Sequence, residues 1–277
     1  MRQRTPVVER RVLDRAGSPV QAYLHGPRHG PTVVLTHGLS LDHRAFDAQV
    51  PDLVAAGYRV ITWDVRGHGA SQPMGDGITI EQAAADLGAV LDEFATEPVV
   101  LLGQSFGGMI VQEFATRYPD RVAGLVVIGA PALGDRPGMV LRVLQRLRIR
   151  MIKLWPDGLL RRVFSAMVTR DPAVRAYVTT ATRQLPKSAF VAASAAAMDG
   201  HLRAEGAPLP GIPVLLLHGE REERPVARAM ARWEQREPTA RRVVVPGGHL
   251  VNQENPEGAN RVLLRFLEAH LPAPQDR

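Results

Sequence analysis

Short apolar runs alternate with longer helical patterns along most of the chain. Each run holds three or four mostly apolar residues, the pattern of a buried parallel strand. The runs lie at 33–35, 60–63, 99–102, 125–128, 214–217 and 243–245, and two further strands are predicted at 7–13 and 20–25. Helical patterns lie at 43–56, 79–95, 109–118 and 256–270. This alternation predicts an α/β fold in which parallel crossovers place helices on both faces of one sheet.

The alternation stops in the middle of the chain. Residues 132–206 are helical in pattern and contain no strand pattern, and Pro208-Leu209-Pro210-Gly211 marks the point where the alternation resumes. The sequence therefore predicts a core domain formed by 1–131 and 207–277, interrupted by a helical insertion at 132–206.

One turn carries a distinct chemical signal. The segment Gly103-Gln104-Ser105-Phe106-Gly107-Gly108 connects a predicted strand to a predicted helix. Glycines at 103 and 107 leave out the Cβ atoms that would clash where strand and helix backbones meet. Such a turn holds the Ser105 hydroxyl above the sheet and aims the Phe106 N–H, at a helix N-terminus, toward a substrate oxygen. The alternative is an ordinary glycine-rich turn with an incidental serine.

This hexapeptide resembles the nucleophile elbow of the α/β-hydrolase superfamily. Further landmarks follow the family's order: His37-Gly38-Leu39, Asp64-Val65-Arg66-Gly67-His68-Gly69, His218-Gly219-Glu220 and Gly247-Gly248-His249. The resemblance covers roughly residues 20–130 and 210–270. It implies an α/β-hydrolase fold with a mostly parallel eight-stranded sheet, helices on both faces and an inserted helical cap, which corresponds here to 132–206.

The resemblance also implies roles for individual residues. Ser105 corresponds to the nucleophile, and His249, on a turn after the last strand and behind two glycines, corresponds to the general base. The loop after the first parallel strand supplies the second oxyanion donor, which is the backbone N–H of Leu39 beside that of Phe106. We expect His37 to pack this loop rather than to take part in the chemistry.

The acid of the expected triad departs from the family's usual aspartate. It usually comes two residues after the Gly-Glu pair, where this chain has Glu222. Glutamate can orient an imidazole, but its extra methylene changes the reach. Asp135, after the preceding strand, is an alternative acid at a known variant position. A further interpretation is that the acids near 222 form a solvated loop balanced by Arg221 and Arg224.

The glycine-rich turn after the strand at 60–63 has two interpretations. Its Arg66-Gly67-His68-Gly69 segment suggests a phosphate cradle, but the Lys-Ser/Thr pair of a P-loop is missing. Structural support of the floor of the site is the interpretation we favour.

Composition narrows the classes of function. The chain has 277 residues, 45% of them hydrophobic, which suffices for one large core. It contains no cysteine, so disulfides, thiolate catalysis and cysteine-bound metals are excluded. The net charge is +6, but no nucleic-acid-binding module is recognisable. The N-terminus lacks a secretory signal and no apolar run is long enough to span a bilayer, so we expect a cytoplasmic protein. The sequence leaves open whether the protein forms a homodimer.

The first helix of the insertion is amphipathic and basic. Its apolar stripe comprises Val140, Leu144, Leu147, Met151 and Leu154, and the cations opposite are Arg142, Arg146, Arg150 and Lys153. The favoured interpretation is a cap helix with its apolar face over the active site and its cations in water. The alternatives are docking to a partner or an anionic lipid surface, and a positive rim that attracts anionic substrates.

Together these features predict a serine-dependent hydrolase that forms an acyl-enzyme on Ser105 and needs no cofactor or metal. The expected substrate is a small-molecule carboxylic ester, thioester or lactone with a hydrophobic part. Acyl transfer, or hydrolysis of a carbon–carbon bond beside a ketone, would use the same residues. A non-hydrolytic member, either a cyclase or lyase or a ligand-binding protein, is the remaining alternative.

Overall fold

Eight strands form one sheet through the middle of the molecule. The computed structural model describes residues 9–95, 98–135, 139–202, 209 and 211–272. The strands are β1 (Glu9–Arg15), β2 (Ser18–His25), β3 (Thr32–Thr36), β4 (Arg59–Trp63), β5 (Val99–Gln104), β6 (Val122–Ile128), β7 (Val214–Gly219) and β8 (Ala240–Val245). Their order across the sheet is β1-β2-β4-β3-β5-β6-β7-β8. Strand β2 pairs antiparallel with β1 and β4, and all other pairs are parallel, which confirms the predicted sheet.

The helices cover both faces of the sheet or belong to the insertion. They are α1 (Val50–Ala55), α2 (Ile80–Phe94), α3 (Phe106–Arg117), α4 (Met139–Leu154), α5 (Asp157–Val168), α6 (Pro172–Gln184), α7 (Lys187–Leu202), α8 (Arg224–Arg236), α9 (Val251–Glu254) and α10 (Pro256–His270). Helix α2 begins close to the start of the pattern at 79–95, and Thr79 caps it: the Thr79 hydroxyl accepts a hydrogen bond from the Gln82 N–H at 3.1 Å.

Alternate side chains of the central strands build two cores, one on each face. Val34 and Leu101 join a core that includes residues of α2, α3 and α8. Leu35 and Leu102 point the other way and pack with residues of α1 and α10. Each fully buried valine or leucine contributes roughly 1.5–3 kcal/mol, so these strands fix the sheet on which the loops sit.

Two elements differ from the sequence prediction. The pattern at 43–56 is not one helix: a 3₁₀ turn at His43–Phe46 is followed by α1, and Pro51 lies in the first turn of α1. Proline fits that position because its missing N–H would have no partner there. Helix α8 was not predicted, although its apolar positions Val226, Ala229, Met230 and Trp233 recur at helical spacing between four arginines.

The insertion consists of α4, α5, α6 and α7, with no strand among its described residues. It has a small core of its own, formed around Ile152, Leu160 and Phe190. Val178 of α6 and Ala193 of α7 join the two sheet cores, so the insertion is fastened to both faces. The predicted boundary at 206/207, and the ends of the core domain at 1–8 and 273–277, lie outside the described residues.

Candidate active site

Ser105 occupies the turn between β5 and α3. Its φ angle is 51°, a left-handed conformation that non-glycine residues rarely adopt. A Cβ at Gly103 would run into the backbone of Gly107, and a Cβ at Gly107 would run into the backbone of Thr36. The Ser105 N–H donates to the carbonyl of Ile128 at 2.7 Å, which fastens the turn to β6. The strained conformation persists because the neighbouring backbones leave no alternative.

Three side chains from three separate loops meet at the carboxyl edge of the sheet. Ser105 Oγ lies 3.1 Å from His249 Nε2, on the turn after β8. The other ring nitrogen, Nδ1, lies 3.0 and 3.1 Å from the two carboxylate oxygens of Glu222, after β7. An ionised carboxylate only accepts hydrogen bonds, so it keeps a proton on Nδ1 and leaves Nε2 free to accept from the serine hydroxyl.

Gly129 leaves room for the side chains of Glu222 and His249. Gly129 follows β6 with φ of 60°. A Cβ there would come within 2.9 Å of Glu222 Oε2 and 3.1 Å of His249 Nδ1. The room above Gly129 therefore lets a glutamate reach the ring. The sequence prediction missed this role, although the position of a glycine directly after a buried strand was a usable signal.

The charge around His249 favours its protonated form. Burial lowers the pKa of His249, but the negative charge and hydrogen bond of Glu222 outweigh burial and raise the pKa above 6.5. The carboxylates of Glu223 and Glu254 add to this rise. A histidine with a raised pKa takes a proton from a hydroxyl more readily, which suits a general base.

The two expected oxyanion donors, Leu39 and Phe106, belong to two segments near Ser105. Phe106 is the first residue of α3, so its N–H belongs to the free donors of a helix N-terminus. Leu39 lines the same cavity as Ser105. His37 holds the Leu39 loop: its Nε2 accepts from the Val65 N–H at 3.0 Å, and its Nδ1 donates to the Gly38 carbonyl at 2.8 Å. These contacts agree with the packing role predicted for His37.

A cavity of about 1040 Å³ opens above Ser105. Its floor comes from the sheet loops, and its walls come largely from apolar side chains of the insertion. Those walls include Ile152, Trp155, Phe164, Phe190 and Met198. The cavity is large enough for a drug-sized ligand with a substantial apolar part.

The family described as "Serine aminopeptidase, S33" matches residues 27–241, which is more than half of the chain. The chain belongs to this family of α/β hydrolases. The prediction of the family and of its fold is thus confirmed.

The α/β hydrolase is similar to proteins with several different names. It is 34% identical over 128 residues to epoxide hydrolase B of Mycobacterium tuberculosis, and the match covers 45% of this chain but only 36% of that relative's length. It is 28% identical over 204 residues to AB hydrolase superfamily protein YisY of Bacillus subtilis, which covers 70% of this chain and 75% of that protein.

Solved structures reproduce the fold over nearly the whole chain. A crystal structure of a hydrolase from Pseudomonas aeruginosa PA01 matches with a TM-score of 0.82. It covers 95% of this chain and 99% of the other at 24% identity. At that identity the likeness shows the fold alone, so the chemistry of the α/β hydrolase must be argued from its own residues.

The alternative acid lies away from the histidine. The carboxylate of Asp135 contacts Arg232 at 2.6 Å and Arg236 at 3.5 Å, both on α8. The structure therefore brings Glu222, and not Asp135, against His249. The interpretation of a solvated acidic loop does not hold for Glu222, because its side chain is 1% exposed.

Gln104 bridges the loops that flank Ser105. It is buried, and its Nε2 donates to the His249 carbonyl at 3.4 Å. Its Oε1 lies so close to Gly38 that a Cβ there would overlap it. A side chain at position 38 would therefore displace the Gln104 amide, a relationship that sequence position alone does not reveal.

The turn at 64–71 is a structural support. Asp64 accepts hydrogen bonds from the backbone N–H groups of His43 at 2.7 Å and Ala70 at 2.8 Å, and from the Tyr23 hydroxyl at 3.1 Å. Burial raises the pKa of Asp64, but the hydrogen bond and positive charge of His43 outweigh it and lower the pKa to about 2. Arg66 is held by Asp86 at 2.7 Å, so its guanidinium is already occupied.

The described residues show neither a metal-binding cluster nor a membrane-spanning helix. No group of three or more His, Asp or Glu side chains there is arranged to hold a metal ion. Among the same residues, no helix combines the length and apolarity needed to cross a bilayer.

Proposed function

We propose that this α/β hydrolase cleaves carboxylic esters, thioesters or lactones that have a hydrophobic part, through an acyl-enzyme on Ser105. The observation that carries the proposal is the chain of contacts from Ser105 Oγ through His249 to Glu222, with steps of 3.1 and 3.0 Å, at the floor of an apolar cavity. This arrangement has the parts that acyl transfer through serine requires.

In the first half of the reaction, Ser105 Oγ attacks the carbonyl carbon while His249 Nε2 takes the hydroxyl proton. The carbonyl oxygen becomes an oxyanion, which the N–H groups of Leu39 and Phe106 stabilise; each such donor is worth on the order of 3 kcal/mol. The tetrahedral intermediate collapses as His249 passes the proton to the departing alcohol or thiol. The product of this half is an ester of Ser105 and the free leaving group.

In the second half, water attacks the acyl-enzyme. His249 takes a proton from the water, the oxyanion forms again at the same two donors, and the proton returns to Ser105 Oγ as the acid leaves. Glu222 stays ionised throughout and stabilises the imidazolium. Another acceptor in place of water would give acyl transfer, the alternative that shares this intermediate.

Ser105 argues against epoxide hydrolysis, the chemistry in the name of epoxide hydrolase B. If Ser105 attacked an epoxide, the product would be an ether of serine, and the same base and water would not hydrolyse an ether. A carboxylate nucleophile instead gives an ester that water can release. Ser105 therefore favours acyl substrates over epoxides.

The insertion supports a role as the cap of this site. Its α4, α5 and α7 supply most of the apolar wall around the cavity, and the sheet loops supply Ser105 and His249. We infer that 132–206 is the cap domain and that it selects the hydrophobic part of the substrate.

Hydrolysis of p-nitrophenyl esters of increasing chain length tests the proposal. We expect turnover by the wild type, loss of turnover in Ser105→Ala with little change in Tm, and covalent labelling of Ser105 alone by a fluorophosphonate probe. Retained turnover in Ser105→Ala would remove this serine from the mechanism. A folded protein that neither hydrolyses esters, thioesters or lactones nor reacts with the probe would favour a non-hydrolytic member.

A further inference from the structure

The exposed apolar side chains are concentrated on two helices of the insertion. Six of the nine large hydrophobic side chains that are exposed in the described part of the chain belong to α4 and α5. They are Val143, Leu147, Met151, Leu154, Leu159 and Met167, and we call this set the apolar rim. Leu154 is 84% exposed. Single exposed hydrophobic residues are ordinary. Four of these six, at 143, 147, 151 and 154, recur at the spacing that places side chains on one face of a helix, and such a concentration marks an interaction surface.

The rim differs from the sequence expectation of a stripe turned toward the active site. Leu147 and Met151 do line the cavity, yet each is about half exposed, at 47% and 52%. Leu154 does not line the cavity. Val140, Arg142, Leu144 and Arg146, which completed the predicted pattern, belong to α4, but their side chains are outside what the structure describes. The stripe thus continues from the cavity mouth onto the outer surface.

Positive charge is concentrated on the same two helices. Residues 139–170 contain eight of the chain's 34 Lys and Arg residues but one of its 28 Asp and Glu residues, so the rest of the chain has 26 against 27. The single acid, Asp157, is paired with Arg161 at 2.8 Å. Arg150, Lys153 and Arg162 are exposed. The segment therefore carries the net positive charge of the whole chain.

We propose that the apolar rim docks on an anionic lipid surface, with its leucine and methionine side chains in the acyl boundary and Arg150, Lys153 and Arg162 on the lipid head groups. Amphipathic helices with an apolar face and a polar face rich in Lys and Arg bind at such interfaces, because apolar burial and electrostatic attraction add together. Each cation near the surface strengthens binding severalfold.

The apolar rim lies at the mouth of the cavity, so docking would affect how the substrate enters. Leu147, Met151 and Met167 are both exposed and part of the cavity wall, so the mouth of the cavity opens within the rim. A docked protein would receive an apolar substrate directly from the lipid phase. This consequence rests on the proposed function, whereas docking itself does not.

Two other occupants fit the rim less well. A second copy would bring two segments of the same positive charge together, and like charges across an interface weaken association. A nucleic acid would pair with the cations, but the phosphate backbone offers no partner to the exposed leucine and methionine side chains. A lipid surface matches both the charge and the apolar character.

Binding to vesicles tests the docking with Ser105→Ala protein, which excludes any effect of turnover. We expect it to float with vesicles of phosphatidylcholine mixed with phosphatidylglycerol, to bind vesicles of phosphatidylcholine alone far more weakly, and to be released by high salt. Leu154→Asp/Leu159→Asp and Arg150→Gln/Lys153→Gln should each lower the partition coefficient by roughly 10-fold or more. A matched control, Arg261→Gln/Arg265→Gln, removes two exposed cations of α10 and should bind as before.

Activity separates this inference from the proposed function. In the wild-type background, Leu154→Asp/Leu159→Asp should hydrolyse a short soluble ester normally and lose activity toward a long-chain ester carried in the anionic vesicles. Ser105→Ala should lose both activities. If Leu154→Asp/Leu159→Asp keeps both activities and still binds vesicles, the proposed docking is overturned and the proposed function stands.

Three other results would overturn the proposal. The first is no flotation with anionic vesicles at low salt. The second is a dimer in solution that Leu154→Asp/Leu159→Asp converts to monomer, which would assign the rim to a second copy. The third is salt-dependent binding of duplex DNA that the arginine and lysine variant loses and the leucine variant keeps, without vesicle binding.

Discussion

One carboxylate oxygen of Glu254 accepts a hydrogen bond of 2.6 Å from the backbone N–H of Gly248, the residue before His249. The other oxygen accepts from the Thr169 hydroxyl, at the end of α5, at 2.7 Å. Arg221, next to Glu222, donates to Glu254 at 3.1 Å. A single carboxylate, 3% exposed, thus connects the insertion to the loops that carry His249 and Glu222.

Replacement of this carboxylate should change the pH dependence of the reaction. The negative charge of Glu254 is one of the influences that raise the pKa of His249, so Glu254→Gln should lower that pKa. Catalysis needs neutral His249, and the acidic limb of kcat/KM should therefore move to lower pH. The rate on the alkaline plateau should stay within about tenfold, because the general base is retained. Full pH–rate profiles with a soluble ester measure both quantities.

The carboxylates that raise the pKa of His249 are those of Glu222, Glu223 and Glu254. Glu268→Gln, which removes an exposed negative charge of α10, is the matched control and should leave the acidic limb in place. An unmoved limb in Glu254→Gln, or a shift to higher pH, would contradict the assignment.

Replacement of each candidate acid by its amide should separate the roles of Glu222 and Asp135. Glu222→Gln removes the charge that stabilises the imidazolium and permits the wrong tautomer, so kcat should fall by about 10⁴-fold. Asp135→Asn breaks only an ion pair with Arg232 and Arg236, whose side chains are half-exposed, and kcat should stay within about fivefold. Steady-state kinetics of both variants give the answer, and a severe loss in Asp135→Asn with a mild loss in Glu222→Gln would reverse the assignment.

A methyl group at position 129 should disturb the acid and the base without touching the cavity wall. Gly129→Ala places a Cβ within 2.9 Å of Glu222 Oε2, so the pair must separate and kcat should fall by on the order of 100-fold. KM should change little, because Gly129 does not line the cavity.

Gly211→Ala is a control for backbone strain alone. Gly211 also has a positive φ, of 77°, and a Cβ there would meet nothing within 4 Å. Both alanine variants should lose about 1 kcal/mol or more of stability from the left-handed conformation, but only Gly129→Ala should lose kcat. Equal kcat in the two variants would show that the room above Gly129 is not needed.

The sequence predicted the parts of the site that depend on strand order. Ser105, Glu222 and His249 each follow a buried strand, and the carboxyl ends of parallel strands lie at one edge of the sheet. Such positions can be recognised in the chain because a strand pattern and a short turn mark them. Strand order alone does not choose between Glu222 and Asp135, since both follow strands. The resemblance favoured Glu222 through its position two residues after the Gly-Glu pair.

The remaining parts depend on contacts between distant segments. Glu222 fits against His249 because residue 129, which lies 93 positions earlier in the chain, is a glycine without a side chain. In the same way, the Gln104 side chain limits the space at Gly38. The apolar stripe of α4 was recognised, but its burial was not predictable, because periodicity shows which residues share a face and not what covers that face. Leu154 is exposed for that reason despite its place in the stripe.

The support of the oxyanion loop by His37 yields a further prediction. Burial lowers the pKa of His37, so the ring is neutral near pH 7 and its Nε2 can accept from the Val65 N–H. His37→Phe keeps an aromatic ring but leaves that buried N–H without a partner, which should cost about 1–3 kcal/mol of stability. It should also lower kcat more than KM, because the Leu39 N–H would be less firmly placed for the oxyanion.

His37→Gln separates packing from acceptor chemistry. Its amide oxygen can accept from Val65 N–H, so it should recover part of both the stability and kcat that His37→Phe loses. Denaturant unfolding and steady-state kinetics measure the two effects on the same preparations. If His37→Phe loses stability but retains full kcat, the loop at Leu39 does not depend on this histidine, and the second oxyanion donor must be sought elsewhere.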